Sequence, residues 1–136
     1  MTANAPTRKI RRFGLKPIEL LTGEELLADV NAWHLHRRWV WQGNGMLLLT
    51  NQRVIFRALR LAISHGHEWK LEEIQAIGHA NLPVWSRIGG FLTAWYLEVG
   101  EERHYFAPLL MFHRGWLEKL ERISGIPIGE ARALYS

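Results

Sequence analysis

The stretch Gly43-Asn-Gly-Met-Leu-Leu-Leu-Thr-Asn-Gln-Arg-Val-Ile-Phe56 carries the reading of the fold. Met46 to Leu49 is a short apolar run, suited to a strand buried on both faces. Thr50-Asn51-Gln52 interrupts it, because Asn accepts the backbone conformations that a tight reversal needs. From Arg53 the chain alternates, with Val54 and Phe56 on one face and Arg53, Ile55 and Arg57 on the other. The expectation is a hairpin with one sealed face and one partly wet face. Gly43, Asn44 and Gly45 just before it read as turn residues.

Working upstream, Pro17 opens a domain in the run Pro17-Ile18-Glu19-Leu20-Leu21. Thr22-Gly23-Glu24-Glu25 has capping-box spacing, so a helical turn through Ala28 is expected to lead into a strand in which Val30, Ala32 and His34 alternate with Asn31, Trp33 and Leu35. Downstream, His67 to Leu71 and Ile74 to Ala80 read as strands on either side of a turn at Glu72-Glu73. Thr93 to Val99 and Arg103 to Ala107 form a second hairpin about Gly100-Glu101-Glu102. Then the period changes. Leu109, Phe112, Trp116, Leu120 and Ile123 recur at spacings of three and four, a single apolar stripe that predicts a helix over about 109–124, stopped by Gly125 and Pro127. The tail to Ser136 reads as at most a short turn. Short strands followed by one striped helix predict a mainly β (α+β) fold, a curved sheet whose open end the helix plugs.

Composition agrees with one packed domain. The 136 residues are 48% hydrophobic and include seven tryptophans, which excludes disorder of the whole chain. With no cysteine, neither a disulfide framework nor a thiolate metal site can form. Met1 to Phe13 lacks the apolar run of a secretory signal and no stretch reaches the length of a membrane span, so a cytoplasmic protein is expected. The net charge of +4 is uneven. Residues 1–16 carry Arg8, Lys9, Arg11, Arg12 and Lys16 with no acid, whereas the other 120 residues hold 12 basic and 13 acidic side chains. The reading is a flexible basic arm over 1–16 and a nearly neutral domain over 17–136.

The run Gly45 to Phe56, with its Leu49-Thr50-Asn51 and the Arg53 that enters a strand ending in Phe56, resembles the hallmark of GRAM and bacterial pleckstrin-homology-like domains. Gly23-Glu24, Leu71-Glu72-Glu73-Ile74 and Trp116 fall where that family has its entry pair, its mid-domain segment and its helix tryptophan. The resemblance covers roughly 20–124. It implies about seven antiparallel strands in a barrel capped by the C-terminal α-helix, and a binding module rather than an enzyme. Members bind lipid headgroups in some cases and proteins in many others. This chain departs from the lipid-binding pattern: Arg37-Arg38 is followed by Trp39 and Trp41 instead of further bases.

Candidate sites follow from charge and exposure. Arg37, Arg38, Arg53, Arg57 and Arg60 would make a phosphate or lipid site if they converged, since guanidinium groups are planar forks of donors. The loop 82–91 is unusually apolar, and Trp85, Arg87, Ile88 and Phe91 are its candidate membrane or partner contacts. Trp33, Trp39 and Trp41 fit packing better than base stacking, and the neutral body disfavours nucleic acid. His34-x-His36 and His65-x-His67 have ligand spacing, but nothing in the sequence joins them, so no metal is expected. Ser64-His65 lacks an orienting partner, and Glu72-Glu73 and Glu101-Glu102 read as solvated turn pairs. No catalytic group and no cofactor are expected. The favoured partner is another protein or a copy of this chain. The alternative is an anionic membrane surface, reached at its cytoplasmic side through the basic arm and the apolar loop.

Overall fold

Leu49 lies opposite Val54 and Leu47 opposite Phe56, so the chain does fold back on itself through Asn51-Gln52. The computed structural model describes residues 8–10, 18–37, 40–58, 66–81, 94–108 and 115–133, and the side chains of all of these except 8–10, 35–37, 40–44, 108 and 132–133. The central hairpin joins β4 (Val40–Thr50) to β5 (Arg53–Ala58). Both strands are longer than the apolar run alone, and Gly43 to Gly45 lie inside β4 rather than in a turn. The physical reason is crowding: a Cβ at Gly45 would stand 2.0 Å from the Arg57 carbonyl oxygen, so glycine lets the two backbones approach.

The remaining elements are β1 (Arg8–Ile10), β2 (Ile18–Leu20), β3 (Leu26–Arg37), β6 (His67–Lys70), a 3₁₀ turn (Leu71–Glu73), β7 (Ile74–Asn81), β8 (Ala94–Val99), β9 (Glu102–Pro108), α1 (Trp116–Ser124) and β10 (Ile128–Ala133). The main sheet has the order β10-β7-β8-β9-β3-β4-β5-β6. Strands β3 to β9 are the seven expected antiparallel strands, and β10 adds to them in parallel alongside β7. The β1–β2 pair forms a separate two-stranded sheet, so Arg8–Ile10, within the stretch read as an arm, is extended and paired.

Three further expectations are corrected. No helix starts at Thr22; Glu24 is buried and drawn toward Arg53, and the alternation of Val30, Ala32 and His34 governs the segment from Leu26 onward. Ile55 does not face water: Ile18 from β2 packs on Ile55 and Leu48, sealing the outer face of the hairpin. The tail after Gly125 is a strand, β10, anchored where Ile128 N–H donates to Glu121 Oε2 at 2.7 Å.

Curvature is visible in one contact. β3 and β6 are separated by β4 and β5, which in a flat sheet would hold them about 14 Å apart. Yet the rings of His34 and His67 lie 4.9 Å apart. The sheet therefore rolls over a shared interior, where Leu47, Leu49, Val54, Phe56, Ile77, Leu97 and Phe106 pack together. α1 closes this interior with Trp116, Leu117 and Leu120, and the Trp116 indole stacks on Trp95 at 5.0 Å and 9°. Ile123, assigned to the stripe from sequence, remains 41% exposed. Residues 109–114, the first part of the expected helix, lie outside the described residues, and no described helix is long and apolar enough to cross a membrane.

Candidate functional site

The turn between β4 and β5 is held by side chains. Thr50 Oγ1 accepts N–H groups from Gln52 and Arg53 at 3.1 and 3.0 Å, and donates to Glu24 Oε2 at 2.7 Å. Asn51 Oδ1 accepts the Glu25 N–H, while its Nδ2 donates to the Gly23 carbonyl and Gln52 Nε2 donates to that of Thr22. The Thr50-Asn51-Gln52 segment thus staples the connection before β3 to the connection after β4. Gly23 supplies the positive φ, 76°, that this connection needs.

Arg53 fills the space between. Its Nε donates to Glu24 Oε2 at 2.8 Å, Nη2 to Glu24 Oε1 and the Glu19 carbonyl, and Nη1 to Glu68 Oε2 at 2.7 Å. Burial alone would push the Glu24 carboxyl up. Hydrogen bonds from Arg53, the Leu21 N–H and Thr50 outweigh that effect and hold it below the usual carboxylate range. The Glu24 hydrogen bond in turn raises the Arg53 guanidinium against its own desolvation. Both members of this pair therefore stay charged in the neutral range, and their two charges cancel.

Beside it opens a cleft of about 660 Å³ lined by Leu21, Asn51, Gln52, Arg53, Glu68, Lys70, Leu71, Glu72 and Glu73. Its carboxylates are Glu68, Glu72 and Glu73, and its cation besides Arg53 is Lys70, which forms no ion pair among the described residues. A smaller hollow of about 270 Å³ lies between β3 and α1, lined by Leu27, Lys119, Arg122 and Ile123.

Of the arginines named from sequence, Arg37 and Arg53 start from opposite ends of one strand pair. Arg37 ends β3 opposite Val40, whereas Arg53 starts β5 beside Thr50, which lies opposite Leu26 at the other end of the same strand pair. Arg57 sits opposite Met46, while Arg38 and Arg60 lie outside the described residues. So do Trp85, Arg87, Ile88, Phe91, Arg11, Arg12, Lys16, Trp39, Ser64 and His65; Arg8 and Lys9 belong to β1. Trp33 packs on the group formed by Ala80, Ala94, Tyr96, Tyr105 and Ala107.

The histidines meet in a way their spacing did not announce. His34, His67 and His104, from β3, β6 and β9, gather in the interior beside Trp69, Phe56 and Phe106. His104 Nε2 lies 3.1 Å from Glu102 Oε2, a carboxylate that only accepts, so Nε2 donates. With a neutral His104 ring, Nδ1 then accepts from His34 Nε2 at 3.1 Å. Among the described residues, no group of three or more His, Asp or Glu is arranged to hold a metal ion. The sequence signal for this cluster was the inward phase of each histidine on its own strand, which becomes readable only when the pairing of the strands is known.

No family model matches the chain, and no curated protein matches it. Solved structures do. The N-terminal PH domain of Vps36 superposes with a TM-score of 0.58 at 17% identity, covering 83% of this chain and 87% of that one. The C-terminal domain of an unknown protein from Leishmania infantum gives 0.57 at 18% identity, over 76% and 86%. With seven antiparallel strands rolled about a core and a C-terminal helix at its end, the chain has a pleckstrin-homology-like fold.

Proposed function

We propose that the chain is a non-enzymatic binding module of GRAM type, acting in protein interaction or self-assembly. The observation that carries this reading is the state of its cations. Arg53 is committed to Glu24 and Glu68, and Arg103 to Glu98 at 2.7 Å. An anionic headgroup entering the large cleft would meet Glu68, Glu72 and Glu73, with Lys70 as the one lining cation that has no ion pair among the described residues. A protein segment with lysine or arginine side chains and backbone amides suits that lining better than a phosphate does.

Fluorescence anisotropy with short peptides tests the reading. Lysine- and arginine-bearing peptides are expected to bind, and Glu72→Lys with Glu73→Lys to weaken them; acidic peptides are expected not to bind. Preferential binding of acidic over basic peptides would sink it.

The alternative is a peripheral membrane adaptor, favoured by the five bases and no acids of residues 1–16 and by the apolar 82–91 loop with Trp85, Arg87, Ile88 and Phe91. It predicts salt-sensitive co-sedimentation with phosphatidylserine vesicles, abolished by neutralising Arg8, Lys9, Arg11, Arg12 and Lys16 together. Vesicle binding unchanged in that variant would count against the arm.

A further inference from the structure

We propose that the outer edge of β6 is a self-association surface, on which a second copy of this chain adds its own β6 antiparallel and centred on Trp69. The inference rests on the protein-interaction reading above and names the partner.

β6 is the last strand of the main sheet. On its inner side it pairs with β5, Trp69 opposite Val54 and Glu68 opposite Ile55. Just beyond its end, the Leu71 N–H donates to the Gln52 carbonyl at 3.1 Å. In an antiparallel ladder, hydrogen-bonded and non-hydrogen-bonded pairs alternate. Counting back from Leu71, Trp69 and His67 bond to β5, while Glu68 and Lys70 turn their N–H and C=O groups away from it. Among the described residues no hydrogen bond occupies these outward groups. Two such residues on each copy, set Glu68 opposite Lys70 and Lys70 opposite Glu68, close four backbone hydrogen bonds.

Charge selects that register. Glu68 and Lys70 are both exposed and share the outer face, so the centred pairing makes two opposite-charge cross-strand contacts. Sliding by two residues in one direction sets Glu68 against Glu68. Sliding in the other sets Lys70 against Lys70 and Glu68 against Glu72. An odd slide puts the outward groups out of phase. Charged residues on a short edge strand discourage arbitrary pairing; here their alternation leaves one pairing open. The Arg53 contact engages Glu68 through Oε2 at 2.7 Å, and the side chain remains 53% exposed. The strand is also preorganised, because Trp69 is buried and its ring stacks on His67 at 5.7 Å and 4°.

Sedimentation equilibrium of the full chain over a concentration series reads the outcome. The wild type is expected to rise from 15.8 kDa toward twice that mass. Lys70→Glu places Glu against Glu and is expected to weaken association about tenfold, as is Glu68→Lys with Lys against Lys. An equimolar mixture of the two variants restores both opposite-charge contacts and is expected to associate like the wild type. Glu68→Lys also loses its Arg53 contact, so Lys70→Pro provides an independent arm. Lys70 has φ −64°, which proline adopts, and the substitution deletes an outward N–H without touching the β5 ladder. A wild type that stays monomeric at every concentration overturns the inference, as does self-association undiminished in both Lys70→Glu and Lys70→Pro. A monomer that still binds basic peptides would leave the protein-interaction reading standing and remove the β6 edge alone.

Discussion

Arg53 has five N–H donors, and four of them are committed, to Glu24 twice, to Glu68 and to the Glu19 carbonyl. From sequence it belonged to an alternating wet face and to a phosphate-binding cluster. Its position as the first residue after a two-residue turn instead aims it into the gap that Glu24 fills. Removing one partner of such a pair is expected to be costly: Arg53→Ala strands the Glu24 carboxylate, which is 2% exposed, and should destabilise by about 3–5 kcal/mol in chemical denaturation. Arg53→Met combined with Glu24→Gln removes both charges and should recover much of that loss. The Glu24 carboxyl also fixes a pH dependence. Its folded-state value lies below its unfolded one, so its contribution is complete above the usual carboxylate range and is lost as pH falls through the folded value. Thermal melts across the acid range should show a shallower decline in Glu24→Gln than in the wild type; parallel declines would assign the acid sensitivity to another group.

At the scale of elements, α1 depends on one side of its surface. Trp116, Leu117 and Leu120 are buried, while Glu118, Lys119 and Arg122 face water. Trp116→Ala removes the ring that stacks on Trp95 and is expected to cost about 3–5 kcal/mol, whereas Ile123→Ala, at an exposed position, should change stability by less than about 1 kcal/mol. Equal effects would mean that the helix does not plug the rolled sheet through its tryptophan. Much of this element was legible in sequence, because a stripe at helical spacing and a following glycine are local signals. The hairpin at 46–56 was legible for the same reason, an apolar run broken by Asn51. What could not be read depends on partners distant in sequence. Ile55 needed Ile18 to be buried, and Gly45 needed the Arg57 carbonyl to explain it. β10 runs Ile128-Gly-Glu-Ala-Arg-Ala133, where only small alanines alternate with charge, a weak strand signal that docking on β7 completes. The candidate site was less legible than the fold, since its acids lie together on β6 and the 3₁₀ turn but the cleft wall also needs Leu21, the β4–β5 turn and Arg53, which only the folded chain brings alongside.

For the molecule as a whole, the question is which sheet edges are covered. The rolled sheet has two ends, β6 and β10, and β10 stands between solvent and β7. It is held there by its ladder, by Tyr96 Oη donating to the Glu130 carbonyl at 3.2 Å, and by the absence of a side chain at Gly78, where a Cβ would lie 2.5 Å from the Tyr96 hydroxyl. A chain ended after Gly125 keeps β3 to β9 and α1, and hence the core they share, but exposes the β7 edge. Such a truncation should fold, with stability lower by about 2 kcal/mol from lost hydrogen bonds and apolar contact, or roughly 5–10 °C in Tm. An uncovered, regular strand edge templates pairing with another chain. Gel filtration with light scattering should therefore find more self-association in the truncated chain than in the intact one. Because this pairing runs through β7, Lys70→Glu should leave the added association in place while suppressing the part that runs through β6. Truncation that leaves the mass distribution unchanged would show that β10 does not guard that edge, and loss of the fold altogether would make it an integral part of the sheet instead of a cover.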